Sequence, residues 1–373
     1  MRKCKMLWVT NSFGCGGAER QISNMFAVVS KYYQIDILYY KEMDNSFKSS
    51  INKENLIFIN KERRGKILFL LEATKIIRNN KYDIVYAFGG GSANIYGRLS
   101  AIFAGTPVII GAMLGKKHFN SFWYKFLNSF INIFCNYWTV NNTDLVPILQ
   151  RDLKFIDLNK VKLIHNGFFE ADKIDYKLNE LTDYDSIKGD KFVIAAVGRL
   201  EPVKNYPMLI KAASKIISEY DNVEFWLAGD GTLKDKLQEL INLYHIEDKF
   251  KLLGFKQDID VLLSRCDLFV QTSNTEGSPN TLSEAMRAQK PIISTKSTNL
   301  EEFIVDFKNG ISIEVGSIEE LIKSIKYILA LNKNELLSMG KASLEIFNKT
   351  FNINKAADEM NEFLKKCLEE KGI

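Results

Sequence analysis

Apolar residues along this chain come in short runs, and between most runs the apolar positions recur every three or four residues. In the first half the runs are Met6–Thr10, Ile35–Tyr39, Leu56–Ile59, Ile84–Ala87, Val108–Ile110, Tyr137–Val140 and Val161–Ile164. The second half restarts the pattern at Phe192–Val197, then Val223–Ala228, Phe250–Leu252, Asp267–Gln271, Ile292–Ser294 and Ile311–Glu314. Runs of this length read as buried strands and the periodic stretches as helices, and their alternation predicts parallel sheets covered by helices on both faces. The pattern lapses in the polar, acidic stretch 169–191. The expectation is therefore an α/β chain of two doubly wound domains, 1–168 and 192–351, joined by that linker. Ligands of such folds bind at the carboxyl ends of the strands, which places a cleft between the two domains. An amphipathic helix over about 352–373 is expected to return to the first domain.

Length and composition agree with that picture. A chain of 373 residues is long for one core, and 46% hydrophobic with 25% charged residues describes an ordinary water-soluble globule. The five cysteines (Cys4, Cys15, Cys135, Cys266, Cys367) form no CxxC pair, which suits a reducing cytoplasm better than a disulfide framework or a zinc site. Three histidines make a His-rich metal centre implausible. The short apolar stretch near the N-terminus runs into a glycine loop and reads as a strand rather than a signal peptide. The net charge of +5 conceals a division: residues 1–168 carry 23 Lys+Arg against 11 Asp+Glu, residues 169–373 carry 27 against 34. A basic half points to an anionic partner such as a membrane surface, or to no more than a Lys-rich composition. Nucleic acid is the weakest of these partners, because no recognised module accompanies the charge.

The most informative stretch is Ser273–Met286, SNTEGSPNTLSEAM, directly after a strand-like run. Ser278 is the expected N-cap and Pro279 the first helical residue, where its missing N–H costs nothing. Such a helix aims free N–H groups and partial positive charge into the gap beyond the strand, a phosphate-ready arrangement. Glu276 precedes the helix. Glu284 lies in its second turn, expected to face away from a buried stripe of Leu282, Ala285 and Met286. Anion-binding amides between two carboxylates suit a diphosphate flanked by hydroxyl-rich groups, as in a nucleotide-sugar.

Val197–Asn205 (VGRLEPVKN) ends a strand with a loop that projects Arg199 and Lys204, a planar clamp and a compact charge suited to a diphosphate. The loops AGDG (228–231) and LLGF (252–255) end two further strands. Their glycines, Gly229, Gly231 and Gly254, either let backbone groups meet a nucleobase, with Phe255 as a neighbour, or belong to ordinary turns. After the first strand, Gly14, Gly16 and Gly17 allow close approach to a ligand or form a tight strand-to-helix turn. Position 19 is Glu and Asp36 lies inside a run, so a dinucleotide fingerprint is not supported.

In this order and at these distances, GGAER, His165–Gly167 (HNG), GRLEPVKN, AGDG, LLGF and EGSPNTLSEAM resemble the retaining GT-B glycosyltransferases of family 4 over nearly the whole chain. The resemblance implies two Rossmann-like domains, a nucleotide-sugar bound mainly by the second, an acceptor bound by the first, closure between them and no metal. It implies that Arg199 and Lys204 neutralise the diphosphate, that Glu276 contacts sugar hydroxyls near the reacting carbon, and that Glu284 holds the ribose. Backbone groups of Gly277, Ser278, Asn280, Thr281 and Leu282 would meet phosphates and sugar, with Gly16 and Gly17 on the acceptor side. The carboxylate pairs Asp183/Asp185 and Asp258/Asp260 fall in the linker and at a helix start, in keeping with a site that needs no metal. One departure concerns a histidine that many relatives place after the strand matching Val108–Ile110. Here His118 comes several residues late and, beside two lysines, reads as exposed sooner than as a site residue.

Asn120–Trp138 is crowded with aromatics, while Lys125 and several asparagines exclude a transmembrane span. It reads as a lipid-docking segment, with Arg63, Arg64, Lys66, Lys116 and Lys117 as companions, or as core packing. The function expected is transfer from a nucleotide-sugar, UDP-sugar foremost, with no other cofactor. The acceptor expected is a surface glycan carried on lipid at the cytoplasmic face of a membrane. A catalytically silent subunit and a nucleotide-sugar epimerase are the alternatives.

Overall fold

Each of these thirteen runs falls on a strand of the computed structural model, and four of them (those ending at Ile59, Ile164 and Glu314 and the one starting at Asp267) overrun it by one residue. The structure describes residues 3–12, 17–41, 51–88, 91–115, 122–135, 137–170, 184 and 188–373. The strands are shared between two units, Met1–Phe168 with Ile353–Ile373, and Phe169–Asn352.

In the first unit β1 (Lys5–Ser12), β2 (Gln34–Lys41), β3 (Leu56–Phe58), β4 (Ile84–Ala87), β5 (Val108–Met113), β6 (Tyr137–Val140) and β7 (Val161–Leu163) form one parallel sheet in the order β3-β2-β1-β4-β5-β6-β7. Trp8 at the centre of β1 pairs with Ile37 on one side and Tyr86 on the other. Strands covered on both faces read as unbroken apolar runs, as these do. Between them lie α1 (Gly17–Val29), α2 (Lys61–Asn80), α3 (Gly91–Ala104), α4 (Phe122–Asn132) and α5 (Leu145–Asp152). Strand β5 runs three residues beyond Ile110. Gly111 makes this possible, because a Cβ there would meet the Trp138 ring of β6 at 2.9 Å.

The second unit repeats the plan with β8 (Phe192–Val197), β9 (Val223–Ala228), β10 (Phe250–Gly254), β11 (Leu268–Gln271), β12 (Ile292–Thr295) and β13 (Gly310–Ile313), ordered β10-β9-β8-β11-β12-β13. Its helices are α6 (Tyr206–Glu219), α7 (Lys234–Leu243), α8 (Ile259–Arg265), α9 (Asn280–Arg287), α10 (Ile318–Leu329) and α11 (Lys333–Thr350). In both sheets the strand order reverses at the centre, between β1 and β4 and between β8 and β11. That is where a doubly wound sheet leaves a crevice for ligand.

The last helix, α12 (Ile353–Glu369), is part of the first unit. The Ile353 N–H donates to the Phe168 carbonyl at 2.9 Å, and the Tyr33 hydroxyl donates to Asn361 at 2.9 Å. Among the described residues no helix is long and apolar enough to cross a membrane.

Candidate active site

The loops after β8, β9 and β10 are stitched together backbone to backbone. The Gly198 N–H donates to the Ala228 carbonyl (3.0 Å), that of Leu200 to Asp230 (2.9 Å) and that of Gly229 to Gly254 (2.8 Å). A Cβ on Gly229 would sit 1.9 Å from the Gly198 carbonyl oxygen, and one on Gly231 would sit 2.7 Å from that of Leu200. Gly229 and Gly231 are therefore required by loop-on-loop packing. Gly254 differs: at φ +70 it has open space where a Cβ would point, and the Phe255 side chain beyond it is exposed.

The braced loop carries two cations. Arg199 is exposed, and its guanidinium makes no hydrogen bond or ion pair among the described residues. Lys204 closes a single 3-10 turn (Pro202–Lys204), after which Asn205, at φ +49, turns the chain into α6. Lys204 Nζ lies 2.5 Å from Glu276 Oε1, with both side chains largely covered. The same oxygen accepts from Ser273 Oγ at 2.6 Å. Both partners are held through the backbone as well. Thr272 Oγ1 donates to the Lys204 carbonyl (2.9 Å), the Glu276 N–H to the Ser297 carbonyl (3.1 Å) and Thr298 Oγ1 to the Gly277 carbonyl (2.9 Å). Charge-assisted bonds in a covered site are stronger than exposed ones, so this carboxylate is oriented rather than free to rotate. Tyr206 is buried close by, and its phenol is pushed far above the ordinary value, by burial first and then by the charge of Glu276.

Two expectations about the following helix need correction. The helix α9 begins at Asn280, so Pro279 is its N-cap rather than its first helical residue, and Ser278 precedes the cap. Pro279 is extended, at ψ 102, and its carbonyl accepts the Leu282 N–H at 3.1 Å. Glu284, expected to stand apart from the buried stripe, is covered along with it and only 3% exposed. All of Leu282–Arg287 is buried, because α9 is short and enclosed by its own unit. Arg287 reaches Asp260 and the Phe169 carbonyl (3.1 Å). Asp258 accepts from Tyr184 at 3.3 Å. Asp183 and Asp185 lie outside the described residues.

In the first unit Gly17 opens α1 and is exposed, while Gly14, Gly16 and His118 lie outside the described residues. The Ser12 hydroxyl, at the end of β1, donates to Glu19 at 2.9 Å. Beyond the carboxyl ends of β4 and β6, a small cavity is lined by Gln21, Met25, Phe88, Asn141 and His165, among others. Among the described residues, both polar atoms of the Gln21 amide, and Oδ1 of Asn141, are buried without a hydrogen-bond partner. Buried polar atoms are normally satisfied, so each invites a water or a ligand hydroxyl. Sequence reasoning missed Gln21, Asn141, Thr272 and Ser273. Gln21 left a signal, a polar residue beside Ile22 and Met25 on the inward face of α1. Ser273 opens the motif that holds Glu276.

Residues 181–345, most of the second unit, match the protein family described as glycosyl transferases group 1. The chain is a glycosyltransferase with the GT-B fold. This glycosyltransferase is 25% identical over 347 residues, 89% of its own length and 92% of the relative's, to a Campylobacter jejuni protein. That protein is the N-acetylgalactosamine-N,N'-diacetylbacillosaminyl-diphospho-undecaprenol 4-alpha-N-acetylgalactosaminyltransferase. It is 27% identical to the Escherichia coli UDP-Gal:alpha-D-GlcNAc-diphosphoundecaprenol alpha-1,3-galactosyltransferase, over 79% of its length and 78% of the relative's. Among solved structures, Anabaena Alr3699/HepE in complex with UDP and glucose aligns with a TM-score of 0.81 at 21% identity. The alignment covers 97% of this glycosyltransferase and 100% of that chain.

Proposed function

We propose that this glycosyltransferase is retaining and metal-independent, and that it moves a sugar from a UDP-sugar to a growing surface glycan. In this reading the glycan is carried on lipid at the cytoplasmic face of a membrane. The observation that carries the reading is the Lys204–Glu276 pair at 2.5 Å, with the exposed Arg199 on the same loop as Lys204, at the crevice of the second sheet. The sugar–phosphate bond breaks towards an oxocarbenium-like transition state, leaving a dianionic diphosphate. Preorganised cations stabilise that charge directly. Arg199 and Lys204 supply them, which leaves no role that only a metal could fill. Glu276, held by Ser273, faces the sugar hydroxyls near the reacting carbon. Gly277, Ser278 and the first turn of α9 (Asn280, Thr281, Leu282) offer backbone groups to the phosphates, and Glu284 holds the ribose.

Retention follows from front-face attack. The acceptor oxygen bonds to the anomeric carbon on the face the diphosphate leaves, and a phosphate oxygen takes the acceptor's proton. The first unit binds the acceptor, with Gln21 and Asn141 supplying polar atoms for its hydroxyls. Both named relatives act on diphospho-undecaprenol glycans, and the E. coli one takes UDP-Gal, which supports a lipid-linked acceptor and a uridine donor here.

The test is a thermal-shift screen of the full chain against UDP, GDP, ADP and their sugars. A ligand at about 100 times its Kd stabilises the fold by about 2.7 kcal/mol, a readily visible shift. One nucleotide-sugar is expected to raise Tm in the parent and not in Arg199→Ala. Its product should keep the anomeric configuration by NMR. No shift with any nucleotide-sugar would remove the reading and favour a silent subunit. Conversion of the sugar without acceptor would favour an epimerase.

A further inference from the structure

Helix α4 is built inside out. Phe122, Phe126 and Phe130, spaced one turn apart, are 74%, 59% and 55% exposed, and Phe134 just beyond the helix is 50% exposed. Its opposite side buries Asn128, Ser129 and Asn132 along with Ile131. A helix on a water-facing surface has the reverse arrangement.

The polar side is inward for a definite reason. Arg98 of α3 is fully buried, donates to Asn128 and to Asn132 (2.7 Å), and lies over the Trp138 ring at 4.4 Å. Ser129 accepts the Lys154 N–H at 2.9 Å, and Asn132 donates to the Lys154 carbonyl at 3.2 Å. Rotating α4 to hide its phenylalanines would strand a buried guanidinium, which costs more than leaving the rings outside.

The same layer of the unit adds to this face. Phe155, next to the anchored Lys154, is exposed. Helix α2 exposes Ile67, Leu68 and Leu71, and packs on α3 through Phe69 against Tyr96 and through Arg78, which donates to the Phe103 carbonyl at 2.6 Å. Cations stand among these side chains: Lys66, Lys75 and Arg78 on α2, Lys125 on α4 and Lys154 are exposed or partly so. The facing acids are fewer. Asp152 is paired with both Lys125 and Arg151, a trio that keeps one positive charge, and the described acids of α2 beside it are Glu62 and Glu72.

We propose that this aromatic and basic face of the first unit docks on an anionic phospholipid surface. It rests on the reading of a lipid-linked acceptor and says which face meets the membrane that carries it. Apolar rings enter the acyl boundary while each nearby Lys or Arg gains from the negative surface, the combination that holds a protein on a membrane without spanning it.

The experiment sediments the full chain with phosphatidylglycerol vesicles and, separately, with phosphatidylcholine vesicles. The parent is expected to bind the first and not the second, more weakly as salt is raised. The double substitution Phe126→Ser with Phe130→Ser should lower that partition about tenfold or more. Ile67→Ser with Leu71→Ser gives an independent reading from α2. Both variants should keep the parent's thermal shift with the nucleotide-sugar. A parent that ignores phosphatidylglycerol vesicles, or variants that bind them as well as the parent does, would overturn the proposal. So would a parent dimer that the α4 variant converts to monomer, since a second copy would then cover the face. A nucleotide shift without vesicle binding sinks the docking alone, and vesicle binding without any nucleotide shift sinks the transferase reading alone.

Discussion

Helices α4 and α9 each follow a strand of a parallel sheet, one in each unit, and each turns charged or amide side chains inward. They differ in what is left outside. Helix α9 is enclosed by its unit, so Leu282 and Met286 are buried together with Glu284 and Arg287. Helix α4 buries Asn128 and Asn132 against Arg98 and leaves three phenylalanines to the solvent. An apolar pattern states how much of a helix needs cover. Polar partners in the interior decide which side turns in, because an unmet charge there costs more than an exposed ring.

The sharpest way to break this contrast lies beside α9. Lys204→Ala and Glu276→Gln are each expected to lower kcat 10²–10³-fold, about 3–4 kcal/mol of transition-state stabilisation, in initial-rate assays with the nucleotide-sugar that shifts Tm. Near-parental rates in both would show that the enclosed helix serves only the fold. Next in size is Gly229→Ala, whose new methyl collides with the Gly198 carbonyl. We expect it to cost about 2–3 kcal/mol, read from the urea midpoint of the second unit. A neutral result would mean the three loops are free to part. On the α4 side, Asn128→Ala takes one acceptor from a buried guanidinium and should cost about 1.5–3 kcal/mol. Hydrogen exchange across α3 and α4 would localise that loss to the first unit. Unchanged protection would mean Arg98 does not set the rotation of α4.

Much of this was legible beforehand. Strands such as Tyr137–Val140, Phe192–Val197 and Val223–Ala228 are found with the limits the apolar runs suggest, since strands buried on both faces have little else to be made of. The glycine loops and Ser273–Met286 were legible as well, because a strand that ends in small residues before a helix leaves few local geometries. The start of α9 was misjudged by one residue, a matter of the extended backbone at Pro279 that composition does not report.

What the sequence by itself determined, then, is the succession of strands and helices and the residue types gathered at their ends. Both follow from local propensity and the burial of apolar runs. Only the tertiary structure decided that Lys204 meets Glu276, 72 positions away, that Gly229 is needed by Gly198, that Glu284 is buried, and that α4 wears its phenylalanines outside. Each of these depends on which strands lie side by side and which loops touch. Periodicity records how strongly a side chain prefers burial, and says nothing of the partner it will find there.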